Sequence, residues 1–283
     1  MSRFLVRIGP AGAFIVAFFL VPVGVLFAYS LGETTYISLQ FGTSLHNYVD
    51  GFTTPLYTSL IVKSIVIGAI TGLASLVLAY PLAFAITLGP LRRRGDLVLF
   101  LVLVSLFSAY LVRVYAWRTL LGREGAINTG LLALGVINEP LHFLIYSRFA
   151  VVLTLVNVLV PLAVLLLYSS LASVDRDYLE AARNLGASPL KTFWTVTLPL
   201  SIKGVQAAFA LCFIIAAGDY VTPQLVGGTR GQMLGNVISD QFGVTFNWPL
   251  GSALAFMLVG ALALGVLAFM TACRVLGLRD HPA

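Results

Sequence analysis

Six stretches of this chain, at about residues 8–29, 64–88, 97–117, 149–170, 202–223 and 250–273, are long, apolar and nearly free of charge. At about 1.5 Å of rise per residue, some 20 apolar residues in a helix match the hydrocarbon thickness of a bilayer. In lipid the backbone N–H and C=O groups of such a run must be satisfied internally, which a helix does by itself. The pattern therefore predicts an all-α integral membrane bundle of six transmembrane helices, forming one domain over 1–283. Composition agrees: 59% of residues are hydrophobic and 10% charged, whereas about a quarter of a soluble domain is charged.

Arg3 and Arg7 ahead of the first run give it the start of a signal peptide, but it is long enough to span and no small-residue cleavage site closes it. It is read as a retained first helix with Pro22 as a kink. Gly68 and Gly72 make a GxxxG pair that lets another helix approach closely. The segments 30–63 and 224–249 read as loops. The segment 120–148, amphipathic and turn-rich, is expected to lie on the membrane surface or fold back into the bundle.

Six spans place both termini on one side. That side holds eleven of the seventeen basic residues, among them Arg92, Arg93, Arg94, Arg176 and Arg183, against six on the other, while the acids divide five and six. The positive-inside rule then puts both termini, and the stretch 175–199, in the cytoplasm. The net charge of +6 follows from this distribution, with no basic stripe and stacking aromatics of the kind nucleic acid needs.

The stretch 175–199, DRDYLEAARNLGASPLKTFWTVTLP, is where the chain concentrates charge, caps and punctuation. Asp175 or Asp177 suits the N-terminus of a short helix. Gly186 suits its end, where a left-handed residue is wanted. Ser188 and Pro189 fit N-cap and N1 of a second helix, and Pro199 marks the way out. On the first helix Arg176, Glu180 and Arg183 share a face, while Tyr178, Leu179, Ala182 and Leu185 form an apolar face for docking on the chain itself.

Glu180-Ala181-Ala182, Gly186 after three more residues, and Val196-Thr197-Leu198-Pro199 after a further nine resemble the EAA loop of permease subunits of bacterial binding-protein-dependent ABC importers, with Val196 where isoleucine is usual. LVRVYAWRTLLGREGAIN (Leu111 to Asn128) and GDYVTPQLVGG (Gly218 to Gly228) are similar to the polyamine (spermidine/putrescine) branch of that family. The resemblance implies a type I ABC importer permease in the bacterial inner membrane. It implies a coupling role toward an ATPase for Glu180, Ala181, Ala182, Arg183, Gly186, Ala187, Ser188, Pro189, Leu198 and Pro199. It also implies a second permease subunit, two copies of an ATPase that hold ATP and Mg, and an extracytoplasmic substrate-binding protein. Besides these partners the chain would meet membrane lipid.

The chain's own chemistry is sparse. Gly186 to Thr192, GASPLKT, lacks the spacing and the glycine before the lysine of a phosphate-binding loop. No HExxH, GxSxG or paired carboxylate is found inside a run. Cys212 and Cys273 lie in apolar segments as free thiols, and His46, His142 and His281 are scattered. No catalytic residue, metal site or cofactor of its own is expected.

Asp219, near the outer end of the fifth run, is the most informative acid. A carboxylate there is costly in lipid, so it faces a cavity or another helix, and with Tyr220 and Thr222 nearby it would suit an ammonium group by ion pairing and cation–π attraction. The competing reading puts Asp219 at the water interface or pairs it with Arg113 or Arg118, which otherwise read with Trp117 as interfacial anchors. Asn157 is a weaker path candidate, since amides in spans often bond a neighbouring helix. Tyr110 is a further one, with packing or an aromatic belt as its alternative. Permeases for ferric iron, thiamine, opines and phosphonates share the EAA loop. A different class, the ion-coupled secondary transporter, predicts mid-membrane charges or interrupted matching halves, and neither is evident.

Overall fold

A computed structural model describes residues 12, 14, 16–35, 38–40 and 42–277. The start of the first run at Ile8, and the expectations for Arg3, Arg7, Arg279 and His281, fall outside them. The regular structure of the described residues is helical apart from a small antiparallel hairpin, β1 (Glu33–Thr35) with β2 (Ser38–Gln40). Its contacts divide it into two units, residues 1–62 with 234–261, and residues 63–233 with 262–283.

The first unit holds the apolar helix α1 (Val16–Ser30), which begins as a π-turn, and α2 (His46–Thr53). Pro22 lies just past the π-turn Val16–Leu20, where the regular α-helical part of α1 begins. The unit also contains the start of α3 (Pro55–Thr87) and, later in the chain, a helix at Leu234–Gly243 and the first half of one at Trp248–Val275. Asn47 donates to the carbonyls of Ser30 and Gly32 at 3.1 and 2.8 Å, serving groups that α1 leaves unpaired at its end. Phe27 packs edge-on against Phe256, and Tyr29 against Trp248.

The second unit continues α3 and adds a 3₁₀ turn at Arg92–Arg94, α4 (Gly95–Phe107), α5 (Tyr110–Leu121), α6 (Ala126–Ala133) and α7 (Arg148–Ala172). There follow α8 (Arg176–Asn184), α9 (Pro189–Leu200), which contains a π-turn, and α10 (Ile202–Gly218). The helices at Leu234–Gly243 and Trp248–Val275 are α11 and α12. The core is the seam between α7 and α10, where Leu155, Leu159, Ala163 and Leu167 meet Ala208, Phe209, Cys212 and Phe213, all buried. Gly68 faces Ala217 and Gly72 faces Phe209, so the GxxxG pair seats α3 on α10 as its spacing predicts. Both cysteines are free and buried.

Among the described residues α3, α7 and α12 are each long and apolar enough to cross a membrane unbroken. Several of the long apolar segments depart from the sequence reading. The second span begins at Pro55 instead of 64: Thr54 is extended, as a residue before proline prefers, and Pro55 opens the helix. The third is broken, because Ser108 and Ala109 are extended and turn the chain by 87° between Arg92–Phe107 and Tyr110–Ala133. The fifth ends at Gly218 instead of 223 and meets Pro189–Leu200 at a 71° bend. The segment 224–249 is no plain loop: a π-turn at Pro223–Gly227, a short helix at Gly228–Gly231 and α11 occupy most of it. Within 120–148 the fully buried Asn128 organises the chain, donating to Gly122 O at 3.1 Å and accepting from Leu141 N–H at 2.8 Å.

Candidate functional site: an exposed helical lever and a polar latch

Asp175 caps α8, its carboxylate accepting from the Asp177 N–H at 3.1 Å. The helix ends in a Schellman turn: Gly186 N–H donates to Arg183 O at 2.9 Å and Ala187 N–H to Ala182 O at 3.0 Å. Gly186 has φ +79°, the left-handed conformation. Ser188 then caps α9, accepting from Lys191 N–H at 3.3 Å, with Pro189 at the first helical position. Pro199 does not mark the exit: it sits in the helical turn Leu198–Leu200, beside the buried Leu198, and the chain bends at Ser201.

Glu180, Ala181, Arg183, Ser188 and Pro189 are exposed, and Ala182 and Ala187 half-buried. Among the described residues the Glu180 side chain makes no hydrogen bond or ion pair. The expected apolar docking face forms only in part. Leu179 is buried, but Tyr178 is 56% and Leu185 89% exposed, and Leu190 and Trp194 on α9 are exposed as well. These side chains have periodicity without a covering surface among the described residues.

Both ends of this two-helix element are fastened to α3. Arg176, at the start of α8, donates to the carbonyl of Thr87, the last residue of α3, at 3.3 Å; a cation suits that end of the helix dipole. At the other end Ser201 Oγ donates to Thr197 O at 2.8 Å and so receives the Tyr80 O–H, also at 2.8 Å. The Tyr80 ring meets Phe193 edge-on. A cleft of about 580 Å³ opens where α8 starts, lined by Thr87, Arg92, Asp96, Tyr168 and Asp177 among others. Tyr80 and Ser201 escape a reading of the sequence because an isolated tyrosine in an apolar run carries no spacing signal; the serine after Pro199 is the available hint.

The second cluster joins two helix breaks. Tyr110, the first residue of α5, donates its phenol proton to Asp219 Oδ2 at 2.7 Å and receives the Thr222 hydroxyl at 2.7 Å. Asp219 in turn accepts the Val221 and Thr222 N–H groups at 3.0 and 3.2 Å, capping the helical turn that restarts after α10. Tyr110 thus ties the start of α5 to the turn after α10. Asp219 is half-buried and pairs with neither Arg113 nor Arg118: the ion pair found among the described residues is His46–Asp50. Arg113 instead reaches the Val158 carbonyl at 3.4 Å. Thr222 is fully buried and Tyr220 45% exposed. Asn157 stands apart, exposed on α7 and lining a cleft of about 530 Å³ with Ser105, Trp117 and Pro161 among others.

The described residues thus combine long apolar helices, bent helix pairs and an exposed two-helix element fastened to α3 at both ends. Over residues 75–279 the chain matches the family described as "Binding-protein-dependent transport system inner membrane component". It is 36% identical over 244 residues to the spermidine/putrescine transport system permease protein PotB of Escherichia coli K12, covering 86% of this chain and 87% of that one. The Haemophilus influenzae protein of the same name is 34% identical, with 83% and 82% covered. Among solved structures, a bacterial ABC transporter that imports the acidic polysaccharide alginate aligns with a TM-score of 0.76 at 14% identity, over 97% of this chain and 98% of that one. A chain of the MetNI methionine ABC transporter aligns with a TM-score of 0.59. The chain belongs to the binding-protein-dependent transport system inner membrane component family. It is a permease subunit of an ABC importer, in which ATP hydrolysis falls to a separate subunit.

Proposed function

We propose that this permease moves a polyamine, spermidine or putrescine, across the inner membrane in six spans with both termini cytoplasmic, acting as one permease domain over its whole length. The similarity to PotB across almost the full length of both chains supports the substrate class. The observation that carries the coupling mechanism is the lever α8–α9, exposed along its outer face and fastened to α3 through Arg176 and Ser201. Such an element moves as a rigid piece and takes α3 with it. A second permease subunit would complete the path, two ATPase copies would bind ATP and Mg beneath it, and a binding protein would deliver substrate from outside. Closure of the ATPases on ATP draws the levers together and turns the bundle from inward-facing to outward-facing.

In this reading Glu180, Ala181, Ala182, Arg183 and the turn Gly186-Ala187-Ser188-Pro189 meet the ATPase. Leu198 and Pro199 hold the root of the lever. Exposed Tyr178, Leu185, Leu190 and Trp194 lie against the same partner, which accounts for apolar periodicity that the chain does not bury. The substrate ammonium groups meet Asp219, with Tyr110, Tyr220 and Thr222 around it, and Asn157 on a separate wall. No cofactor is assigned to this chain. Glu180→Arg, in a complex reconstituted with ATPase and binding protein, is the test: substrate-stimulated ATP turnover is lost while the bundle still purifies folded. Wild-type stimulation in that variant would overturn the coupling assignment.

A further inference from the structure

Helix α2 (His46–Thr53) lies between the end of α1 and the start of α3 and carries three distinct faces. Residues three and four apart share a face at the helical period. Asn47, Tyr48 and Gly51 face the protein: Asn47 holds the end of α1, Tyr48 OH is 2.8 Å from Ser30 Oγ, and Gly51 is buried with Met257 where a Cβ would sit. His46, Asp50 and Thr53 form a polar flank on which His46 and Asp50 pair at 3.2 Å, with 68% and 42% of their side chains exposed. Leu45, Val49 and Phe52 form the third face and are 63%, 53% and 67% exposed.

A soluble helix has two environments, core and water. Three faces need a third environment, and the one at hand beside the ends of spanning helices is lipid. The aromatic pair Tyr29–Trp248, at the end of α1 and the start of α12, belongs to the same unit and has the amphipathic rings that favour headgroup depth. Past Thr54, α3 opens with Leu56 exposed and carries Val62 exposed on another side, and as a spanning helix it presents such residues to acyl chains. From the exposed apolar residues on both α2 and the start of α3 we infer that α2 is an interfacial anchor whose Leu45–Val49–Phe52 face is seated in the lipid leaflet at that end of the bundle. Pinned through Asn47 and Gly51, it fixes the depth at which α1 and α3 sit. The leaflet is the extracytoplasmic one by the topology proposed above; the lipid contact itself does not depend on that topology.

Adjacent residues give the test. In the assembled complex in nanodiscs, on a C212A/C273A background, an environment-sensitive fluorophore is attached at Phe52→Cys or at Thr53→Cys. The position 52 probe should emit to the blue of the position 53 probe. It should be quenched by phospholipid with a nitroxide near the headgroup end of its acyl chain and spared by aqueous iodide, with the order reversed at position 53. Equal iodide quenching at both positions would overturn the anchor. So would shielding of position 52 from both quenchers, which would mean that a protein subunit covers it, or shielding that appears only when binding protein is added. A membrane-impermeant maleimide applied to intact spheroplasts tests the leaflet separately: failure to label Thr53→Cys would overturn the topology and leave lipid quenching at position 52 standing.

Discussion

Gly186 is the place where one atom should uncouple transport without disturbing the bundle. Its φ of +79° is left-handed, where a residue with a Cβ costs roughly 1–2 kcal/mol, asparagine costs less and a β-branched residue costs more. A Cβ at this position meets nothing within 4 Å, so the penalty within the chain is conformational alone. A loss of about 1–2 kcal/mol shifts the balance toward open turns by a factor of about 5–30. Open turns release the hydrogen bonds to Arg183 and Ala182 and let α8 splay from α9. Binding-protein-stimulated ATP turnover of the reconstituted complex should therefore fall in the order wild type, Gly186→Asn, Gly186→Ala, Gly186→Val, with yield and melting of the membrane bundle unchanged. Loss that follows side-chain volume, with alanine milder than asparagine, would refute the turn argument and point to direct collision with the ATPase. Full activity of the valine variant would refute it outright.

Tyr80→Phe removes the hydroxyl that reaches Ser201 but keeps the ring on Phe193; loss of such a bond costs about 0.5–1.5 kcal/mol, and it should lower stimulated turnover more than basal turnover. Equal effects on both would show that the contact does not transmit motion. Asp219→Asn keeps a capping oxygen but removes the charge, so polyamine uptake should show a raised KM, with Tyr110→Phe milder; the reverse order would make Asp219 a structural cap only. Gly68→Val would set its Cβ 2.6 Å from the Ala217 Cβ, closer than two carbon atoms can pack, and overpacking typically costs about 1–3 kcal/mol. Its detergent-purified form should aggregate at lower temperature than wild type, and an unchanged profile would contradict the α3–α10 contact.

Local chemistry is the legible part of this chain. Asp175, Gly186, Ser188 and Pro189 act within a turn of themselves, and each takes the role its residue type suggests. Breaks without punctuation are illegible: Ser108 and Ala109 turn a span by 87° with no proline or glycine beside them. Pro55 does announce the start of α3, but Tyr57, Thr58, Ser59 and Lys63 make its first turns look like loop. The glycine-rich stretch after Gln224 hides α11 because hydropathy registers polarity and not period. At the candidate site the individual residues can be read from the sequence and their connections cannot. Tyr110 and Asp219 are 109 positions apart, and nothing in either neighbourhood announces the bond between them. Tyr178 and Leu185 carry the right period for a docking face, whose covering surface belongs to another chain in the proposed assembly.

The most direct measurement is uptake of radiolabelled spermidine by proteoliposomes holding this chain with the ATPase and permease that co-purify from its native membrane, with ATP inside and loaded binding protein outside. The predicted result is ATP-dependent accumulation that needs the binding protein, vanishes with Glu180→Arg and is competed by putrescine. Accumulation driven by an ion gradient without ATP, or a chain that purifies alone and transports, would contradict the coupled importer.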